Sequence, residues 1–206
     1  MVLYWFLWLV LRFWYRLVLR VRLEGREQVP RGQAFVVCSN HISWQDPMLL
    51  GALMPRQVFF MAKAEVFASP VGGAILRTVG AFPVRRGTAD RGAIRHALDL
   101  LASRRPVVVF PEGTRSRDGR LGTAEPGAAL LALWADALVL PVAISGRYRR
   151  GGLRVAIGRP FHLQRGAQRR PSTAELQRIA QEQIMGAVGA LVRQAGDRAS
   201  VAPGPA

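Results

Sequence analysis

Seven short apolar runs alternate with segments of helical spacing along most of this chain, and that alternation restricts the fold to the α/β class. The runs predicted as strands are Leu17–Leu23, Ala34–Cys38, Gln57–Met61, Ala81–Val84, Pro106–Phe110, Leu138–Ile144 and Leu153–Ile157. Helical spacing falls on Pro47–Leu53, Val66–Thr78, Ala89–Ser103, Gly127–Ala135 and Thr173–Gln194. The last helix has a capping box, Ser172-x-x-Glu175, at its start. With 206 residues, half of them apolar, the chain can bury one substantial core. The expected organisation is an N-terminal segment 1–20, one domain over 21–195 and a frayed tail over 196–206.

The N-terminal segment follows a different rule. Val2 to Leu11 carries no charge, and Arg12, Arg16 and Arg20 then recur at four-residue spacing. As a helix, ten apolar residues extend about 15 Å, roughly half of a bilayer's hydrocarbon core. Spanning would carry Arg12 and Arg16 into that core at about 2.5–3.5 kcal/mol each. Tyr4, Trp5, Trp8, Trp14 and Tyr15 are residue types that favour the headgroup boundary. The segment therefore reads as a monotopic, membrane-associating helix on the cytoplasmic face of the cell membrane, with its arginines on anionic lipid phosphates. A first helix packed on the core is the plainer alternative. The formal net charge of +16, with 29 Lys+Arg against 13 Asp+Glu, favours polyanionic partners. The single cysteine, Cys38, excludes an intrachain disulfide and, inside an apolar run, reads as a small buried hydrophobe.

Three polar clusters interrupt the apolar pattern. In "VVCSNHISWQDP", His41 follows a strand and Asp46 stands five residues on, before Pro47. Residues five apart lie about 140° out of register on a continuous helix, so the two can meet only if the chain turns after the strand. Asp46 is then either a plain N-cap or the orienting acid of a histidine base, and His41 either a turn residue or that base. In "VVVFPEGTRSRDGR", a buried strand delivers Glu112, Gly113, Thr114 and Arg115 to one end of the sheet. Gly113 permits close backbone approach, and Arg115 has the fork that grips two phosphate oxygens. A solvated basic turn is the bland reading. In "VGAFPVRRG", a short strand ends in Arg85-Arg86, a further source of cation or a protected sheet edge. Among the motifs sought, there is no metal-ligand cluster, no dinucleotide fingerprint and no G-x-S-x-G.

In this order, the clusters resemble those of the 1-acylglycerol-3-phosphate (lysophosphatidic acid) acyltransferase family. The family's N-H-x-x-x-x-D is matched by Asn40, His41 and Asp46, and its G-x-[IF]-x-[VI]-x-R by Gly80, Phe82, Val84 and Arg86. F-P-E-G-T-R-S is matched without a gap by Phe110 to Ser116, and the strand motif with V/L-P-V by Leu140, Pro141 and Val142. The segment "MAKAEVF" around Lys63 is similar to a lysine segment of the family. Glu125 departs from it, standing where a cation is usual.

The resemblance implies a central mixed, largely parallel sheet flanked by helices. It implies transfer of a fatty acyl group from acyl-CoA or acyl carrier protein to the free hydroxyl of lysophosphatidic acid, with no further cofactor and no metal. His41 would be the base and Asp46 its orienting acid. Arg86 and Arg115 would bind the acceptor phosphate, Glu112, Gly113 and Thr114 would shape the pocket, and Lys63 would stand near it. Other acceptors, such as a different lysophospholipid, glycerol 3-phosphate or an ornithine-linked lipid, fit the same motifs. A basic nucleic-acid-binding protein fits the charge but leaves Val2–Leu11 and His41-x4-Asp46 without a role, so no nucleic acid is expected as a partner.

Overall fold

A computed structural model describes residues 2–85, 90–116, 120–165 and 171–201, with side chains described over 3–195 of these. Seven strands form one sheet: β1 (Arg22–Glu24), β2 (Phe35–Ser39), β3 (Phe59–Lys63), β4 (Ala81–Val84), β5 (Val107–Val109), β6 (Leu138–Gly146) and β7 (Leu153–Ile157). Their order is β1-β7-β6-β2-β5-β3-β4. Every neighbouring pair is parallel except β6 and β7, which form an antiparallel hairpin. The sheet is therefore mixed and mostly parallel, as expected.

Alternation along the strands sorts the side chains between two cores. Val36 and Cys38 face one layer, together with Val107 and Val139, while Phe35 and Val37 face the other with Val108 and Leu140. The first layer is closed by α4 (Arg91–Ala102), α5 (Gly127–Trp134), α6 (Thr173–Ile179) and its π-helical continuation Ala180–Met185, which leads into α7 (Gly186–Val201). Ser172 caps α6 as expected, its Oγ accepting from the Glu175 amide at 3.2 Å. Burial lifts the Cys38 thiol well above the usual thiol range, consistent with a packed hydrophobe. The second layer is covered by α2 (Asp46–Leu53), α3 (Pro70–Thr78) and the N-terminal helix α1 (Val2–Phe13).

The crossovers set where a crevice opens. From β2 the chain passes through α2 over one face to β3, then through α3 to β4, moving steadily toward one edge. It returns over the other face, through α4 to β5 and α5 to β6. The reversal falls between β2 and β5, whose following helices leave to opposite faces. That is the switch point at which ligands bind in open α/β sheets.

Several local expectations shift. Leu17–Leu23 is not a strand: α1 continues as a π-helical segment over Trp14–Val18, Arg20 takes a left-handed backbone (φ 52°), and only Arg22–Glu24 pairs. Apolar content there reflects a helix with one buried and one exposed side. The predicted Val66–Thr78 helix is split into a 3-10 turn, Ala64–Phe67, and α3, because Ser69-Pro70 starts a new helix with Ser69 as N-cap. Among the described residues no helix is long and apolar enough to cross a membrane.

The two-faced core gives a direct test. Leu140 is fully buried under the second layer. Leu140→Ala is expected to cost about 2–5 kcal/mol of unfolding free energy, read as a lower urea midpoint with an unchanged slope.

Candidate functional site

β2 ends at Ser39 and the chain must leave the sheet without abandoning its polar backbone. Asn40 makes that exit possible. Its side chain acts as a strand extension: Nδ2 donates to the Ile144 carbonyl and Oδ1 accepts from the Ile144 amide, both at 2.8 Å. The following residues are released into a turn, in which Asp46 N donates to Ser43 O and Gln45 N to Ser43 Oγ. Ser43 is thus turn structure.

That turn brings together two of the residues the sequence singles out. His41 Nδ1 lies 2.7 Å from Asp46 Oδ2, with Asp46 fully buried. Oδ2 also accepts from the amides of Ile42 (2.7 Å) and Ser43 (2.8 Å), and Oδ1 accepts from the Tyr148 hydroxyl at 2.6 Å. Four donors on one carboxylate is the pattern of an acceptor-only anion, which assigns the proton to His41 Nδ1. The imidazole lies flat on Phe110, with ring centroids 4.1 Å apart and planes 20° apart. Its Nε2 makes no hydrogen bond to the described residues.

Asp46 differs from its expected N-cap role. It is the first residue of α2, the N-cap position belongs to Gln45, and no side chain caps the helix. The carboxylate turns back onto the loop that carries His41, so the acid and the turn amides are one structure. Pro47 therefore falls in the first turn, one place after the start of the helix.

The loop after β5 closes the other side. Glu112 is buried, but both its oxygens point into the protein: Oε1 accepts from His41 N at 3.1 Å and Oε2 from Gly122 N at 2.9 Å. It links the His41 loop to the segment beyond the β5 loop. Gly113 takes φ +66°, and a Cβ there would meet Glu125 Cγ at 3.3 Å. Ser116 N donates to His41 O at 2.8 Å, which seats the exposed Thr114 and Arg115 beside the dyad. Glu125 is itself exposed and holds Pro111 through its backbone amide at 2.7 Å.

Lys63 stands at the C-terminal end of β3, half exposed, with its ammonium 3.8 Å from Glu65. It shares the sheet end of the dyad, and its ion-pair partner is that glutamate rather than Asp46. Arg86 lies outside the described residues. Tyr148 is the residue that sequence reasoning misses; the available signal is a single aromatic in the "GRYRRGG" turn between two strands. Burial, then the Asp46 charge and the hydrogen bond to it, push the Tyr148 hydroxyl far above its ordinary range, and Tyr15 beneath is raised to about 12 by burial and the same charge. Both phenols remain protonated. The described residues contain no group of three or more His, Cys, Asp or Glu arranged to hold a metal ion.

A profile of the Acyltransferase family matches residues 20–145. The chain is 32% identical over 150 residues to a 1-acyl-sn-glycerol-3-phosphate acyltransferase of Bacillus subtilis, covering 69% of this chain and 74% of that protein. It is 39% identical over 147 residues to a lyso-ornithine lipid O-acyltransferase of Pseudomonas aeruginosa, covering 71% of this chain and 54% of that one. The crystal structure of the 1-acyl-sn-glycerophosphate (LPA) acyltransferase PlsC from Thermotoga maritima superposes with a TM-score of 0.66 at 25% identity, covering 90% of this chain and 74% of that one.

The position of Glu112 predicts the effect of a near-isosteric change. Glu112→Gln sets an amide NH2 against one of two backbone N–H groups, so it is expected to cost about 1–3 kcal/mol in stability. Hydrogen exchange at the Gly122 and His41 amides should accelerate in parallel.

Proposed function

Because this chain belongs to the acyltransferase family and is an O-acyltransferase, we propose that it moves a fatty acyl group from an acyl thioester, acyl-CoA or acyl carrier protein, to the free hydroxyl of 1-acylglycerol 3-phosphate, giving phosphatidic acid. The observation that carries this reading is the His41–Asp46 pair at 2.7 Å, with Nε2 open at the switch point of the sheet. An alcohol is a poor nucleophile at neutral pH and needs a positioned base. His41 Nε2 takes the hydroxyl proton as the oxygen attacks the thioester carbonyl. Asp46 holds the Nδ1 proton and stabilises the imidazolium formed. The tetrahedral intermediate collapses with loss of the thiolate, which takes up the proton. No covalent acyl-protein intermediate is required, and the residues named call for no cofactor or metal.

Arg115 and Arg86 grip the acceptor phosphate, Gly113 and Thr114 line the approach, and Lys63 adds a cation at the same sheet end. Glu112 acts through the loops it joins. The 39% identity with a lyso-ornithine lipid O-acyltransferase supports a second reading, in which the acceptor carries an ornithine headgroup.

The N-terminal helix supports membrane association on the cytoplasmic face. One side packs on α2, with Tyr4 and Tyr15 buried and Arg12 Nη1 donating to the Ala52 carbonyl at 3.3 Å. Arg12 thus turns into the protein, over the Trp8 ring at 4.8 Å, which corrects its expected place on a lipid phosphate. The other side exposes Leu3, Phe6, Val10, Phe13 and Leu17 at helical spacing, a stripe suited to the acyl region of one leaflet. Arg16 and Arg20 are exposed near its end, where headgroups would meet them.

Three measurements test this reading. Purified protein should acylate 1-acylglycerol 3-phosphate in a panel of lysolipid acceptors offered with both donor types, and His41→Ala should lose about 10²–10⁴-fold in kcat. Activity on the ornithine acceptor alone would move the assignment to the second reading. Arg115→Ala should raise KM for a phosphate-bearing acceptor several-fold more than for a neutral one. Phe6→Glu with Phe13→Glu, both on the exposed stripe, should release the folded protein from anionic liposomes in a flotation assay.

A further inference from the structure

The Asp46 carboxylate has two oxygens with different surroundings. Oδ2 is held by the imidazole and by two amides of its own turn, and these contacts come with the loop. Oδ1 is held by Tyr148, 102 residues away, at 2.6 Å. That contact is supplied by the β6–β7 hairpin and depends on the hairpin's shape.

The hairpin is fixed accordingly. Gly146 has φ +92°, and a Cβ on it would collide with the Gly152 carbonyl oxygen, so no other residue fits without moving the turn. Arg147 N donates to Gly152 O at 2.9 Å, Arg149 N to Arg147 O at 2.7 Å and Gly152 N to Arg149 O at 3.0 Å. Gly151 N donates to Leu19 O at 2.7 Å, tying the tip to the end of the N-terminal helical segment. The neighbouring Arg147, Arg149 and Arg150 are exposed, and only the tyrosine turns inward, onto the second core.

We propose that Tyr148 is a positioning residue for the His41–Asp46 pair, fixing the plane of the carboxylate and drawing part of its charge away from the imidazole. The proposal rests on the acyl-transfer reading of the site. A carboxylate that shares its charge with an additional donor bonds less strongly to each of the others. Tyr148 therefore limits how strongly the carboxylate draws on the imidazole N–H. Among the described residues, the charged and titratable groups on the elements packed around the imidazole are Asp46 on α2, Tyr148 on the hairpin, Tyr15 at the end of the N-terminal helical segment, and Glu112 and the exposed Arg115 on the loop after β5. Of these, Tyr148 can be altered by one atom without touching the ring packing.

The test is Tyr148→Phe in the full chain in detergent micelles, read by histidine-ring NMR and by kinetics. His41 is assigned by the loss of its signal in His41→Gln. Loss of the hydroxyl should raise the His41 titration midpoint by about half a pH unit. Because the base acts unprotonated, the acid limb of kcat/KM should move to higher pH by the same amount. With acyl-CoA and 1-acylglycerol 3-phosphate as probes, kcat should fall about fivefold and KM stay within twofold, while the melting temperature drops by only a few degrees and the protein stays folded. In an Asp46→Asn background the same change should add no shift of the midpoint.

An unchanged or lowered midpoint in Tyr148→Phe overturns the proposal. An equal shift in the Asp46→Asn background overturns it too, since the hydroxyl would then not act through the carboxylate. The NMR arm requires no turnover. Wild-type protein that transfers no acyl group to any acceptor would refute the acyl-transfer reading while the titration still decides the role of Tyr148.

Discussion

A fully buried carboxylate is the constraint around which this site is organised. Taking an isolated anion out of water costs several kcal/mol even after relaxation, and only hydrogen bonds and opposite charge offset that cost. Asp46 receives four donors from three places: the imidazole, two turn amides and a phenol from the far hairpin. Removing any one leaves the anion less compensated. The β2 exit turn, the start of α2 and the β6–β7 hairpin must therefore keep their relative positions for the fold to hold, and the same positions set the geometry of the His41–Asp46 pair. Stability and the geometry of the pair share one set of contacts here.

Much of this is legible in sequence, and the reasons differ by element. Strands surface because both faces of the sheet are covered, which makes β2, β5 and β6 continuous apolar runs. The ends of Ala81–Val84 and Leu153–Ile157 are legible to the residue because each is bounded by glycine or a charge. Leu17–Leu23 misleads because a helix with an exposed apolar stripe is as apolar as a strand, and run length alone does not separate them. His41 and Asp46 are visible because five-residue spacing with proline next implies a turn. Tyr148 is not, since nothing local in "GRYRRGG" says which side chain turns inward. That is fixed by Gly146 and by the bond from the tip to Leu19, contacts made between distant segments. Glu112 stands out in sequence, but a sequence cannot show that both its oxygens accept from backbone amides.

The two sheet faces divide the remaining work. The face under α4 to α7 is closed by helices with apolar stripes turned inward. The face under α1, α2 and α3 is closed against the sheet yet leaves apolar groups outside: the α1 stripe, and Val66, Val71 and Ile75 at and before α3. Trp44, in the turn that carries the dyad, is two-thirds exposed. An apolar surface of this extent on one side is the usual mark of an interface with a membrane or a partner.

The link between Gly151 and Leu19 joins these two aspects. The helix with the exposed stripe ends where the β6–β7 hairpin begins its turn, and that hairpin delivers the hydroxyl to Asp46. The helix with the exposed stripe and the hairpin that carries Tyr148 are therefore joined by a backbone hydrogen bond. Displacement of the helix end would act on the hairpin tip before it reached β6, because the tip has no other tie of that kind to the helix among the described residues. The His41–Asp46 pair is thus braced by Asn40, bonded to Ile144 of β6, by Glu112 on the loop after β5 and by Tyr148 on the β6–β7 hairpin.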